Sequence, residues 1–249
     1  MGRWWVHVAL ALTSRFVIDL RVGPRTLETA VAMLASVAMA CGKAGARELL
    51  LLMDNHLPYP QAVLQVFGVV RHRRRKRGHG RYKHADLKPP PGLWAGVVHK
   101  VRDATGNLLR VRTKALFGRK RDIVGRIRQL GIGQQINTAH VERFNGTMRG
   151  QQARLTRRTR SGSRRGWRLI WSLALWRDLY NWVRPHRTLG GRTPAMALRL
   201  ADEVWSVARY VEHPVHVSDL QRALWAEEQQ SWLTSALDAQ KPRKLLPAS

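Results

Sequence analysis

Glu48-Leu49-Leu50-Leu51-Leu52-Met53-Asp54-Asn55-His56 is the stretch on which the fold class turns. Its apolar residues run without alternation, which reads as a short strand covered on both faces, as in a mixed α/β sheet flanked by helices. Asp54 then stands at the carboxyl end of that strand, where ligand sites form in open α/β sheets. A helix from Pro58 to Phe67 follows, and a cap on that helix is the structural alternative for Asp54. Upstream, Thr26 caps a helix reaching about Ala40, with Ala30, Leu34, Val37 and Cys41 on its apolar stripe. Before it, Trp4 to Leu12 and Arg15 to Val22 read as a hairpin turning at Thr13-Ser14. Plain alternation puts Phe16, Ile18, Leu20 and Val22 on one face of its second strand, and Arg15, Val17, Asp19 and Arg21 on the other.

Charge narrows the partner. Lysine and arginine number 44 against 16 acids, a formal net charge of +28. A balance of that sign and size implies a polyanion, with nucleic acid first. No apolar run approaches the roughly 18 residues that cross a bilayer, so no membrane span is expected. A ribosomal RNA-binding protein is disfavoured by the 10 tryptophans. Cys41 is the one cysteine, so a disulfide or thiolate-rich zinc site cannot form within the chain; it reads as a core residue of a reducing compartment. The run Met1 to Leu12 contains His7 and lacks a convincing cleavage site, so the expected place is the cytoplasm, on nucleoid DNA.

Downstream, Arg71 to His84 is the most basic patch and includes Arg73, Arg74, Arg75, Lys76 and Arg77. At that density the expected role is phosphate binding that weakens steeply with salt. Lys88 to Gly92 is a stiff Pro-rich connector, and Val97 to Arg102 with Leu108 to Thr113 reads as a hairpin. Residues from about 71 to 118 are expected to form a basic β insertion. Arg119 to Leu130 reads as a basic amphipathic helix. Thr138 is then a plausible cap for a helix on which Val141, Phe144 and Met148 face a core, while Glu142, Asn145, Gly146 and Arg149 share a polar face. Glu142 is followed by an acid-free stretch from Arg143 to Arg177, which includes Arg157 and Arg158. A surface ion pair is the plain explanation for such an acid. Trp167, Ile170, Trp171, Ala174, Leu175, Leu179 and Trp182 are expected to form a core-facing stripe. After Ala201 acids outnumber basic residues, and Ser218 to about Gln240 reads as a helix for packing or assembly.

Two strings carry a family resemblance. His140-Val141-Glu142-Arg143-Phe144-Asn145-Gly146-Thr147-Met148-Arg149 resembles the third-acid signature of bacterial insertion-sequence DDE transposases. Tyr180-Asn181-Trp182-Val183-Arg184-Pro185-His186-Arg187-Thr188-Leu189-Gly190-Gly191-Arg192-Thr193-Pro194 resembles the closing motif of those enzymes and of related integrases. The resemblance implies a ribonuclease H-like core over residues 1–200, with a helical extension over 201–249. It implies metal-dependent DNA cleavage and strand transfer, with Asp54 and Glu142 as ligands of Mg2+ or Mn2+, two ions in all. Two such ions about 3.5–4 Å apart activate the entering oxygen and stabilise the leaving one. In many relatives the first acid falls where this chain has Ala11. Either Asp19 serves instead, or the chain is an impaired remnant that only binds DNA. Arg143, Asn145, Arg149 and Arg184 are then expected on phosphates, and His186 either there or holding its turn. Because the first strand begins near Met1, a separate DNA-recognition protein or domain is expected, along with a homo-oligomer.

Overall fold

The computed structural model describes residues 5–43, 45–71, 86–156 and 166–213. The chain divides into a compact unit over residues 1–207 and a second over 208–249. Arg73, Arg74, Arg75, Lys76, Arg77, Arg157 and Arg158 lie outside the described residues, as does the helix expected from Ser218. Among the described residues no helix is long and apolar enough to cross a membrane.

The architecture is mixed α/β. Strand β3 (Leu49–Asp54) pairs in parallel with β6 (Leu93–Arg102), from Leu49 opposite Leu93 to Asp54 opposite Val98. β6 in turn pairs antiparallel with β7 (Leu108–Phe117). The strand expected within an insertion is thus the middle strand of the sheet. It is held there because Leu93, Ala95, Val97 and Val98 are all buried, which a surface arm would not permit. The short pair β4 (Val69–Arg71) and β5 (Asp86–Lys88) forms a separate two-stranded sheet.

Parity assigns the sheet's two faces. Met53, Leu93, Ala95 and Val97 pack with Ala30, Met33, Leu34 and Val37 of α1 (Leu27–Lys43) and with Ala62 and Val63 of α2 (Tyr59–Phe67). Leu50, Leu52, Trp94 and Val98 look the other way, onto Ile123 and Ile127 of α3 (Lys120–Gln129) and onto Ile132 and Ile136. Gly96 belongs to this second face: a β-carbon there would come within 3.0 Å of the Ile136 side chain. Arg126 of α3 lies over the Trp94 ring at 3.3 Å and also reaches Glu48.

Strands β1 (Trp5–Leu10) and β2 (Val17–Gly23) form the expected hairpin, but their register shifts between Ala9 and Leu10. Ala9 faces Asp19 and Leu10 faces Val17, so Ile18 is the extra residue. Val17 therefore joins Leu20 and Val22 on one face, and simple alternation across the strand fails. That face packs on Phe144 and Met148 of α4 (Ala139–Gln151) and on Leu169 and Leu173 of α5 (Gly166–Asp178). Among the described residues no ladder hydrogen bond joins the hairpin to the mixed sheet.

The tryptophan stripe of α5 is a second correction. Trp167, Trp171 and Leu175 are exposed, at 46%, 59% and 52%. Leu169 and Leu173 are the buried ones, with Tyr180 continuing the core side beyond the helix. Trp176 and Ser172 are tied to α4, donating to Gln151 Oε1 and Gln152 Oε1 at 3.0 Å each.

Candidate functional site: two acids on one face of the sheet

Asp54 ends β3 as an exposed residue on the face of Leu50 and Leu52. Lys100 of β6 shares that face with Trp94 and Val98, two residues beyond the position that pairs with Asp54. Strand spacing of about 4.8 Å and a rise of about 3.3 Å per residue put the Asp54 and Lys100 α-carbons about 8 Å apart. Lys100 Nζ holds Glu142 Oε1 at 2.5 Å. Through Lys100 the acid of α4 is thus joined to the face of the mixed sheet on which Asp54 ends. Sequence reasoning passed over Lys100, because its place on this face follows only from the pairing of β6 with β3.

Glu142 is fixed from two sides. Thr138 stands at the cap position of α4, yet its hydroxyl makes no cap bond and instead donates to Glu142 Oε1 at 2.5 Å. The Ala139 amide is taken up by Asn137 Oδ1. Burial works against the Glu142 charge. The hydrogen bonds from Lys100 and Thr138 and the charges of Lys100 and Arg102 outweigh it, leaving the carboxyl below the usual carboxylate range.

Asp54 sits beside groups that sequence reasoning left out. The His7 and His56 rings lie 5.7 Å apart, and His56 meets Tyr59 edge-on at 5.0 Å. Arg25 reaches His56 Nδ1 at 3.3 Å, and His7 Nε2 donates to the Pro24 carbonyl. His56 Nε2 is buried with no hydrogen-bond partner. Burial pushes both histidines down, with Arg25 adding to the effect and Asp54 opposing it. Burial, with the Asp54 charge adding to it, drives the Tyr59 phenol well above its usual range.

Asp19 is engaged on its own strand. It is buried, it pairs with Arg21 at 3.3 Å, and Arg21 also reaches Ser36 of α1. Alternation with Leu20 and Val22 puts Asp19 and Arg21 on the face of the hairpin that reaches α1, opposite the face packed on Phe144 and Met148. Among the described residues no three His, Cys, Asp or Glu side chains lie close enough to share a metal ion. The donor set therefore does not fit a three-carboxylate centre. Asp54 and Glu142 are carboxylates of the kind that magnesium takes together with waters and substrate oxygens.

The guanidiniums of Arg143, Arg149 and Arg184 are exposed, and Asn145 is half-buried beside them in sequence. His186 is set inward: its ring meets Tyr180 at 4.4 Å, and its Nε2 is buried without a partner. Burial lowers its pKa, opposed by a hydrogen bond to the Tyr180 backbone. Its own backbone closes the turn, the amide donating to Arg192 O at 2.9 Å and the carbonyl accepting from Gly191. Gly190 and Gly191, at φ 64° and 80°, supply the left-handed backbone that turn needs. Asn181 is 2% exposed and pairs like a strand with Val17, accepting its amide and donating to its carbonyl at 2.9 Å each. Thr193 caps α6 (Pro194–Ala197), accepting from the Met196 amide at 3.2 Å. A further tie holds the entry to α4: Arg15, at φ 61°, donates to His140 Nδ1, and His140 Nε2 donates to the Ile132 carbonyl.

A family model described as an integrase core domain matches residues 132–194. The matched segment runs from Ile132 through Glu142 and Asn181 to the helix opened by Pro194, and it supports an integrase- or transposase-like catalytic domain. No curated protein and no solved structure matches the chain.

Proposed function

We propose that this chain is the core of a DNA strand-transfer enzyme of the insertion-sequence transposase kind, built on a ribonuclease H-like plan. What supports the reading is that Asp54 ends on the face of the mixed sheet that Lys100 shares, and that Lys100 holds Glu142. The match to an integrase core domain supports polynucleotidyl transfer as the reaction class. DNA is the partner that a net charge of +28 favours, and exposed Arg143, Arg149 and Arg184 grip its phosphates.

Asp54 and Glu142 are the residues that hold divalent metal. The ion, when bound, supplies Lewis-acid stabilisation of charge at phosphorus and lowers the pKa of an attacking hydroxyl. Lys100 keeps Glu142 ionised and oriented by a short ammonium contact, at a carboxylate oxygen for which a bound cation would compete. Thr138 holds the same oxygen from within α4, so Glu142 keeps its direction when Lys100 lets go.

The test is cleavage and joining of cognate element ends with Mg2+ or Mn2+. Glu142→Gln is expected to abolish joining and leave DNA binding intact; joining that persists refutes the assignment. A second reading, a DNA-binding remnant without catalysis, draws on the burial of Asp19 against Arg21 and on the Lys100 clasp. It requires that calorimetry detect no Mn2+ site that Asp54→Asn removes.

A further inference from the structure

Helix α5 spends its most expensive side chains on solvent. Trp167, Trp171 and Leu175 recur at a spacing of four residues and are about half exposed or more, while the buried side of the same helix is already filled. Single exposed apolar residues need no explanation, but three on successive turns form one strip. At about 1.5 Å per residue the strip is about 12 Å long. The Arg168 guanidinium lies 5.2 Å from the Trp167 ring centroid. The only acid of α5, Asp178, is taken up by Arg177 at 2.7 Å, and no acid occurs between Arg143 and Arg177.

An apolar strip of this kind accepts another protein, a second copy of the chain, or nucleic-acid bases. Charge decides among them. Two copies at +28 each would bring like charges together around Arg168, which opposes self-association through this face. A polyanion is drawn to it instead. Indole faces beside a guanidinium, in a stretch of sequence without acids, suit bases that have left the duplex, since every base offers a π-face and its phosphate seeks the cation.

We infer that Trp167 and Trp171, with Leu175 and Arg168, form a stacking platform for a short run of unpaired DNA bases. The strip's length matches about three stacked nucleotides at ~3.4 Å each. The platform itself stands on exposure, spacing and charge; only the choice of DNA as the strand rests on the proposed function.

Binding of the full chain to a fluorescent 12-mer of dT and to a duplex of equal length, in EDTA, separates the possibilities. Trp167→Ala and Trp171→Ala are each expected to weaken dT binding about 5- to 100-fold and to leave duplex binding unchanged. Trp171→Phe should retain most of the affinity, and Trp171→Leu, which keeps apolar area without a π-face, should lose it. Equal losses on duplex and single strand, or full affinity in Trp171→Leu, would overturn the inference. So would sedimentation showing that the alanine variants dissociate an oligomer and keep dT affinity, which would make this face a contact between copies. Because metal is absent throughout, failure here leaves the Glu142→Gln joining result untouched. Unchanged thermal melts and circular dichroism of these surface variants confirm folding.

Discussion

Replacing Asn181 with alanine tests the packing logic most directly. Its amide oxygen accepts from the Val17 amide and its nitrogen donates to the Val17 carbonyl, both at 2.9 Å, and Val17 itself is 1% exposed. Truncation leaves two buried backbone groups without partners and water has no ready access to them. Each such group costs about 1–3 kcal/mol, so Asn181→Ala should lose about 2–5 kcal/mol of stability. Asn181→Asp should be no better, since it keeps an acceptor for the Val17 amide but turns an anionic oxygen toward the Val17 carbonyl. Urea unfolding followed by far-UV circular dichroism gives the size of the loss. Hydrogen exchange at the Val17 amide gives its location. A loss under about 0.5 kcal/mol, the scale of an ordinary surface change, would refute the reasoning. So would a large loss with Val17 still protected, because the lock would then lie elsewhere.

Three further outcomes follow from the site. Lys100→Met should strengthen Mn2+ binding about two- to five-fold by calorimetry, since an exposed pair of this kind is worth about 0.2–1 kcal/mol; unchanged affinity would mean Lys100 and the ion do not compete. Folding stability should fall as pH drops below about 6.5, the usual histidine value. His7, His56 and His186 all have lowered values, so between those values and 6.5 the folded chain binds fewer protons than the unfolded one, and acid favours unfolding. Urea midpoints at pH 7.5 and 5.5 should therefore differ, and His56→Gln should narrow the gap. Acid below about pH 4.5 should weaken the Glu142 clasp as well, because its carboxyl is held low and its stabilisation disappears as pH falls through that lowered value; the contact's partial exposure keeps the effect small.

The parts of the fold that were legible in sequence are those set by local pattern. The run Leu49 to Met53 announces a strand covered on both faces, Thr26 precedes α1, and Ile123 with Ile127 fixes the inner side of α3. Long-range pairing was not legible. Nothing in the spacing of Leu93 to Val98 says that they lie parallel to β3, and the proline-rich connector before them invites the opposite reading. The face of Val17 depends on one extra residue, Ile18, and a bulge leaves no mark in an alternation already mixed with charge. In α5 two apolar stripes coexist, Trp167-Trp171-Leu175 and Leu169-Leu173-Trp176, so periodicity cannot choose and residue size misleads. For the site, Asp54 and Glu142 were visible as acids in telling surroundings. The partner of Glu142, Lys100, was not, because its place follows only once β6 is seated beside β3. The closing motif was recognised by its letters, but the work of Asn181 depends on a partner, Val17, far away in sequence.

The break between the hairpin and the mixed sheet sets how the molecule comes apart. With no ladder bond crossing that seam among the described residues, β1 and β2 are anchored by apolar contacts and by side-chain bonds: the Asn181 carboxamide on Val17, Arg21 to Ser36 and, at the turn between them, Arg15 to His140. Such a seam lets the amino-terminal ribbon peel away as a partial opening while β3, β6 and β7 stay zipped. The β1–β2 amides should then exchange as a group, ahead of those in β6, and a protease that prefers extended chain should make its first cut there.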